Sequence, residues 1–459
     1  MTDRRTTATF TVLVVAATAF ALLQAMVIPV LPEIQRSLDT DPRSVTWVVS
    51  AYLLSAAIAT PVLGRLGDAV GKKPLLLVAL SALAVGSLGA ALAPNIGVMT
   101  AARVLQGLGG GVMPLAFGIV RDEFPAERVP SAVGVLAALG GIGASVGLVL
   151  AGPIVDLLGY RWLFLLPMIA IAATAVAALV VVRPSPTRAD PISWAPAPFL
   201  AGALATFVLA TTNASAWGWT SPRTLGLYAL ALALGALWIR FESRARHPLI
   251  DLRMMTIPAV RSGNAVSFLL GFAMFAVYAF VPQFLQAPTT TGYGFGATVT
   301  ESGLLLLPLA SAVFLGGLVA ARLVRRAGSR AVVFACSVVI AACLVVVAWG
   351  HTATWQLATT LAVYGVALGV ALASLATLVV VSVPASQSAV AGAVNFNLRN
   401  IGGSVGTAVM ATVVTARLDG TGVPLESGYT AGFVLLAVSM VVATALAAAI
   451  PRLSPDPAT

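Results

Sequence analysis

The chain has 459 residues, of which 59% are hydrophobic and only 9% are Asp, Glu, Lys or Arg. Soluble domains carry about 25% charged residues, so an ordinary soluble globule is excluded. The net charge of +10 would suit a nucleic-acid partner, but its placement along the chain points to a membrane surface instead.

Apolar runs near twenty residues recur from end to end, each long enough to cross a hydrocarbon core of about 30 Å as a helix. None shows the polar–apolar alternation of a barrel strand. Fourteen spans are predicted, at 10–31, 44–63, 74–93, 98–120, 131–155, 162–182, 197–216, 223–239, 263–286, 300–320, 331–349, 354–381, 387–415 and 430–450. The first follows Arg4 and Arg5. It is too long for the apolar core of a secretory signal, so it is expected to be retained. Gln24, within it, is a candidate for contact with substrate.

Spans 2 and 3 are joined by 64-GRLGDAVGKKP-74, which holds Gly64, Arg65, Asp68, Gly71 and the chain's two lysines, Lys72 and Lys73. The glycines permit a tight turn and close helix approach. Asp68 and the bases can pair across neighbouring helix ends, with Arg121 at the end of span 4 as the expected partner of Asp68. Such a cluster is a gating candidate. Arg103 lies inside span 4, with Gln106 one turn along the same face. A charge there costs at least ~2.5 kcal/mol unless it faces a polar interior, so Arg103 is expected to face a substrate cavity. Span 5 carries Gly143, Gly147 and Gly152 at the small-residue spacing of close helix packing, expected against the other half of the chain.

Residues 183–196 are proline-rich and form a linker, and 240–262 hold five arginines expected at the headgroup surface. Tyr278 and Gln283 in span 9 and Tyr364 in span 12 are cavity candidates, and aromatic linings suit a lipophilic substrate. Glu301 begins span 10, where an acid suits the helix dipole. Glu301 and Asp156, both near span ends, are candidate proton carriers. Span 13 holds Asn395, Asn397 and Arg399, expected to line water or substrate, together with Gly402, Gly403 and Gly406. Cys336 and Cys343 are seven apart in one helix and suggest neither a disulfide nor a metal site.

Nineteen of the 26 Lys and Arg fall in the tails and loops on the side of the N-terminus, and five on the other. This positive-inside bias places both termini in the cytoplasm. The chain also repeats. The loop 64–74 is echoed by 321-ARLVRRAGSRA-331 at an offset of 257, which pairs Arg65 with Arg322, Asp68 with Arg325 and Gly71 with Gly328. The segment 142-IGASVG-147 is echoed by 401-IGGSVG-406 at 259. Both offsets step eight spans. The expected architecture is therefore a six-helix half at 1–183, a linker and two inserted helices at 184–240, a cytoplasmic connector at 241–262, and a second six-helix half at 263–459. Parallel halves of this kind belong to alternating-access transporters, with substrate held between them near the midplane.

The stretch 64-GRLGDAVGKKPLLL-77 resembles the signature loop of the major facilitator superfamily, and 103-RVLQGLGGG-111 resembles its span-4 motif Arg-x-x-Gln-Gly. The inserted pair, with 247-HPLIDLRMM-255, 301-ESGLLLLP-308 and 398-LRNIGGSVGTA-408, resembles the 14-span drug:proton antiporter branch. The resemblance implies an all-α integral membrane protein whose halves are related by a pseudo-two-fold axis. It implies a secondary active exporter of drug-like or antibiotic small molecules in the cell membrane, coupled to proton antiport and needing no cofactor. The expected partners are a small-molecule substrate, protons and lipid, with no nucleic acid, and the expected state is a monomer. Two departures stand out. Where the branch carries a span-1 Asp, 22-LLQAMVIPVLP-32 has Leu23 followed by Gln24, and 147-GLVLAG-152 has Leu148 at the proline position of the span-5 antiporter motif. The missing Asp keeps a uniporter or symporter of a small metabolite as the alternative. An enzyme is disfavoured, because the two histidines, His247 and His351, fall on opposite sides of the predicted topology. No P-loop is present to bind ATP.

Overall fold

The computed structural model describes residues 2–451 except 28–29, 41, 185–192, 249, 351–352, 385–386 and 419–422. Arg188, His351 and Arg452 lie outside the described residues. Helices and short turns make up nearly all of what is described, with one isolated bridge between Leu418 and Pro424. In chain order the first half holds α1 (Thr2–Met26), α2 (Leu31–Ser37), α3 (Pro42–Val70), α4 (Lys72–Ala91), α5 (Ile96–Gly107), α6 (Val112–Glu123), α7 (Val129–Leu158) and α8 (Trp162–Val181). Next come α9 (Ala197–Trp217), α10 (Pro222–Glu242) and the short α11 (Leu252–Thr256). The rest is α12 (Pro258–Gln286), α13 (Val299–Leu305), α14 (Leu307–Trp349), α15 (Thr354–Val381), α16 (Ser388–Thr415) and α17 (Glu426–Ala448).

Among the described residues, eleven helices are long and apolar enough to cross a membrane. One of them, Thr300–Trp349, is 50 residues long and is broken inside α14 at Gly328, where φ is 79° and ψ 152°. The equivalent break between α3 and α4 is Gly71, at φ 112° and ψ 140°. A side chain is strained at either φ. The two glycines are the pair aligned by the sequence repeat, so the same turn is built twice. Two predicted spans, 5 and 13, fall on α7 and α16, which are not among the eleven; α16 carries Asn395, Asn397 and Arg399.

Span 4 is not one uniform helix. A 3-10 turn at Leu108–Gly111 separates α5 from α6. Its glycines let α3 approach: a Cβ on Gly111 would fall 2.6 Å from Leu63 Cδ1, and one on Gly107 2.5 Å from Ser55 Oγ. In lipid, helix pairing rests on such close packing because tails are as apolar as the side chains.

One apolar core joins α1, α3–α8 and a few residues of α15 and α16. A second joins α12, α14, α15, α16 and α17. The α9–α10 hairpin is held by stacked Phe199 and Phe241, 5.0 Å apart. It packs on α3 and α16, and Trp219 Nε1 donates to Thr412 Oγ1 at 2.6 Å. The connector departs from expectation. Its Arg244, Arg246, Arg253 and Arg261 are exposed, but Ile250 and Met254 are buried in a third apolar cluster with Leu200, Val379, Val390 and Val394. Arg65 Nε donates to Pro248 O at 3.2 Å. The connector is thus a strap under the helix ends rather than a loose surface segment.

Candidate functional site

The helix ends on the Lys/Arg-rich face form a clasp between the two halves. Asp68, in the last turn of α3, is 6% exposed. Its Oδ2 accepts from the backbone N–H of Val390 at 3.2 Å, in the first turn of α16, where N–H groups lack intrahelical partners and the dipole favours an anion. Lys72 Nζ sits 3.4 Å from Asp68 Oδ1 and 2.8 Å from Asp122 Oδ2. Arg121 does not pair with Asp68 as expected. Its guanidinium donates to Val380 O at the C-terminal end of α15, the end that favours a cation. The acid and the base of the first half therefore grip opposite helix termini of the second. Gly64 makes the approach possible: a Cβ there would lie 3.0 Å from Ala393 Cβ and 3.1 Å from Ala389 O. Lys73 instead donates to Leu179 O at 2.7 Å, at the end of α8.

The second copy of the loop is built differently. Arg322 and Arg325 are exposed, and neither forms an ion pair among the described residues. The turn is repeated, but not the clasp.

Arg103 is 1% exposed, neither in the cavity nor extended toward headgroups. Its Nε donates to Val48 O at 2.9 Å and its Nη1 to Gln106 Oε1 at 2.6 Å; Gln106 Nε2 passes the network on to Ser87 Oγ at 2.9 Å. The guanidinium lies 4.2 Å from the centre of the Tyr52 ring, a favourable cation–π contact. Arg103 thus ties α5 to α3 and α4.

A narrow cavity lies between the halves, lined by Gln24, Tyr52, Phe396, Asn397, Asn400 and Ser404, among others. The three polar residues predicted in span 13 separate. Asn395 faces α12, its Nδ2 bonded to Asn264 Oδ1 at 2.9 Å and to Ser267 Oγ at 2.8 Å. Asn397 lines the cavity and donates to Ala57 O of α3 at 2.8 Å, across the halves. Arg399 lies behind the cavity wall, 4.8 Å from the Phe396 ring centre.

Other candidates fall away from the cavity. Gln283 is exposed near the end of α12, and Asp156 is exposed near the end of α7. Tyr278 and Tyr364 are buried in the second core. Glu301 is exposed and completes a capping box with Thr298 at the start of α13. Glu301→Gln keeps an acceptor for that cap, so this variant is expected to melt with the wild type in detergent; a clear drop in melting temperature would show that the carboxylate charge itself holds the turn.

The glycine pairings also differ from expectation. Gly143 and Gly147 pack on Ala21, Leu22 and Ala25 of α1, and Gly402, Gly403 and Gly406 on Phe268, Phe275 and Phe272 of α12. Each stripe thus meets the first helix of its own half, and of these glycines Gly152 alone faces across: a Cβ there would lie 3.2 Å from Thr300 Oγ1. The partners that sequence reasoning missed are mostly backbone groups: Val390 N–H, Val380 O, Val48 O and Ala57 O. Tyr52 was also missed; its spacing from Arg103 gives no sign that the two meet.

The family model described as Major Facilitator Superfamily matches residues 13–407. The chain is 29% identical over 401 residues to the tetracenomycin C resistance and export protein of Streptomyces glaucescens, covering 84% of this chain and 72% of that protein. It is 28% identical over 405 residues to the multidrug resistance protein Stp of Mycobacterium tuberculosis, covering 87% and 74%. It is 26% identical over 380 residues to the multidrug transporter protein MdtP of Bacillus subtilis, covering 81% and 69%. The crystal structure of the human organic anion transporter MFSD10 superposes with a TM-score of 0.67 at 17% identity, over 97% of this chain and 99% of that one, a likeness of fold alone. With its helical halves, cross-half clasp and a family match spanning most of its length, the chain belongs to the major facilitator superfamily.

Proposed function

We propose that this chain is a secondary active exporter of drug-like or antibiotic small molecules, working by alternating access with proton antiport. The observation that carries the reading is the clasp. Asp68 holds the start of α16 while Arg121 holds the end of α15, and contacts of this kind between rigid halves have a closed and an open arrangement. The relatives' resistance and export names support the cargo class.

In this reading the basic face is cytoplasmic, both termini lie inside, and the protein is a monomer in the plasma membrane with fourteen spans arranged 6 + 2 + 6. The halves are 1–183 and 263–459. Gly64, Arg65, Asp68, Gly71, Lys72, Lys73 and Arg121 form the gate, with Arg322 and Arg325 as its weaker counterpart. The partners are substrate, protons and lipid, with no nucleic acid and no cofactor. Asp68 is the proton-responsive acid: a neutral carboxyl loses both its hold on the helix end and its attraction to Lys72. Efflux of several dyes and antibiotics from expressing cells, with and without an uncoupler, tests the scheme. Efflux that stops when the gradient collapses is the expected result, and undiminished efflux without a gradient contradicts it.

A second reading, a uniporter or symporter for a small metabolite, is favoured by one observation. Among the described residues, the cavity wall carries Gln24 and no carboxylate. Substrate counterflow in liposomes without proton movement would select it.

A further inference from the structure

We infer that the connector between α10 and α12 is a binding site for anionic phospholipid headgroups, and that a headgroup bound there favours the closed arrangement of the clasp. The link to the clasp rests on the transporter reading above; the binding site does not. Charge is sorted across this strap. Arg240, Arg244, Arg246, Arg253 and Arg261 are all exposed, and none forms an ion pair among the described residues. The two acids of the same stretch are turned to the protein. Glu242 is 2% exposed and accepts from Trp238 Nε1 at 3.0 Å and from Ile250 N–H at 2.8 Å. Asp251 accepts from Arg253 N–H at 3.0 Å, at the start of α11, and from Gln387 Nε2 at 3.3 Å. The acids are engaged within the fold, and the arginines are left facing outward.

The position of the strap selects the ligand. Helices α10 and α12 are two of the eleven able to cross a membrane. Arg240 is in the last turn of α10 and Arg261 in the first turn of α12, so both sit at the level where a span meets its headgroups. Exposed Trp194 follows Ser193, whose N–H donates to His247 O of the strap at 3.0 Å, and tryptophan is enriched at that level. Arg261 also stands at the positive end of a 29-residue helix whose first turn contains no acid. The helix dipole disfavours a cation there, and an anion offsets both positive charges at once. A lipid phosphate meets a guanidinium in a charge-assisted, often bidentate, contact, and the cytoplasmic leaflet carries a negative surface potential. A soluble acidic partner has to reach arginines at the membrane plane; a headgroup is already there.

The strap touches both halves beside the clasp. On one side Arg65 Nε of α3 donates to Pro248 O at 3.2 Å. On the other, Ile250 and Met254 share an apolar cluster with Val379 of α15 and with Val390 and Val394 of α16. Val390 is the residue whose N–H holds Asp68. Opening the basic face parts α3 from α15 and α16, so one of these contacts breaks and the strap shifts. A lipid that binds the docked strap more tightly than the shifted one moves the equilibrium toward the closed face. The charge of the membrane thereby sets how firmly the gate is shut.

The test uses full-length protein, phosphatidylglycerol as the anionic lipid and phosphatidylcholine as the neutral one. Binding is followed in detergent through the shift of the melting curve as lipid is added. Opening is followed by spin labels at Val70 and Val381 in liposomes with and without phosphatidylglycerol. One variant combines Arg244→Gln, Arg246→Gln and Arg253→Gln, and a second carries lysine at the same three positions. Each arginine near an anionic surface favours association about fivefold. The glutamine variant is therefore expected to bind phosphatidylglycerol at least about tenfold more weakly than the wild type, and the lysine variant to stay near it. Phosphatidylcholine is expected to bind all three alike. In liposomes, phosphatidylglycerol is expected to shift the wild-type labels toward shorter separation and to leave the glutamine variant unmoved. Equal phosphatidylglycerol binding by wild type and glutamine variant overturns the site. Wild-type label distances that ignore phosphatidylglycerol overturn the link to the clasp. Inorganic phosphate bound with the same affinity and arginine dependence overturns the choice of a lipid. Should the triple variant fail to fold, Arg253→Gln alone, with an expected loss of about fivefold, decides the matter. Arginine-dependent phosphatidylglycerol binding without dye efflux sinks the exporter reading and keeps the site; dye efflux without that binding does the reverse.

Discussion

Asp68→Asn is expected to cut efflux about tenfold at matched expression, while Arg325→Gln leaves it near the wild-type level. The magnitude follows from what is lost. A hydrogen bond to a charged group contributes about 1.5–3 kcal/mol, and 1.4 kcal/mol is a tenfold change in an equilibrium. Asn can still accept from Val390 N–H, but without charge, so the pull on the α16 terminus and on Lys72 both weaken. The closed arrangement of the basic face is then under-populated, and the cycle stalls with that face open. Arg325 stands at the repeat-equivalent position yet is exposed, and an exposed charge away from any partner is worth little. Asp68 and Arg325 variants with equal effects would refute the division of labour between the two loops. Efflux rates normalised to membrane abundance are the readout.

The largest stability effect is expected at the α12–α16 contact. A Cβ on Gly402 meets Phe268 O, and one on Gly406 meets Phe272 O. These are backbone atoms of a packed helix and cannot swing aside. Gly402→Ala and Gly406→Ala are each expected to destabilise by about 1–3 kcal/mol through overpacking, and the double variant to lose most of its folded population. Gly235, on α10, is the control: an added Cβ there meets nothing within 4 Å. Gly235→Ala removes a helix-interior glycine and is expected to be neutral or stabilising by up to ~1 kcal/mol. Melting curves in detergent distinguish these outcomes. A Gly402→Ala protein that melts with the wild type would show that the helices separate at little cost.

The all-helical fold is legible because apolar runs of membrane length can satisfy their backbone only as helices, and eleven helices of that kind stand among the described residues. The repeated turn is legible too, since Gly71 and Gly328 are the residues a positive φ selects, and the repeat offset of 257 aligns them. What sequence could not supply was the identity of partners. A glycine stripe says that some helix comes close; it does not say which, and the stripes of α7 and α16 turned out to serve α1 and α12. Charge pairing misled in a similar way. Asp68 and Arg121 have opposite signs and neighbouring positions, so pairing them was the obvious reading. Both are instead occupied by the ends of α16 and α15, whose partial charges belong to the backbone and leave no mark in the residue pattern. Arg103 and Arg399 were found from their cost in the membrane, but the rings of Tyr52 and Phe396 that separate them from the cavity emerged only from the packing.

The claim on which most depends is that Asp68 holds the basic face shut. Spin labels at Val70 and Val381, both exposed at helix ends on that face, would report its opening in liposomes once buried Cys336 and Cys343 are replaced by alanine. A shift toward longer label separation in Asp68→Asn, absent in Arg325→Gln, is the predicted result. Superimposable distance distributions for wild type and Asp68→Asn would contradict it.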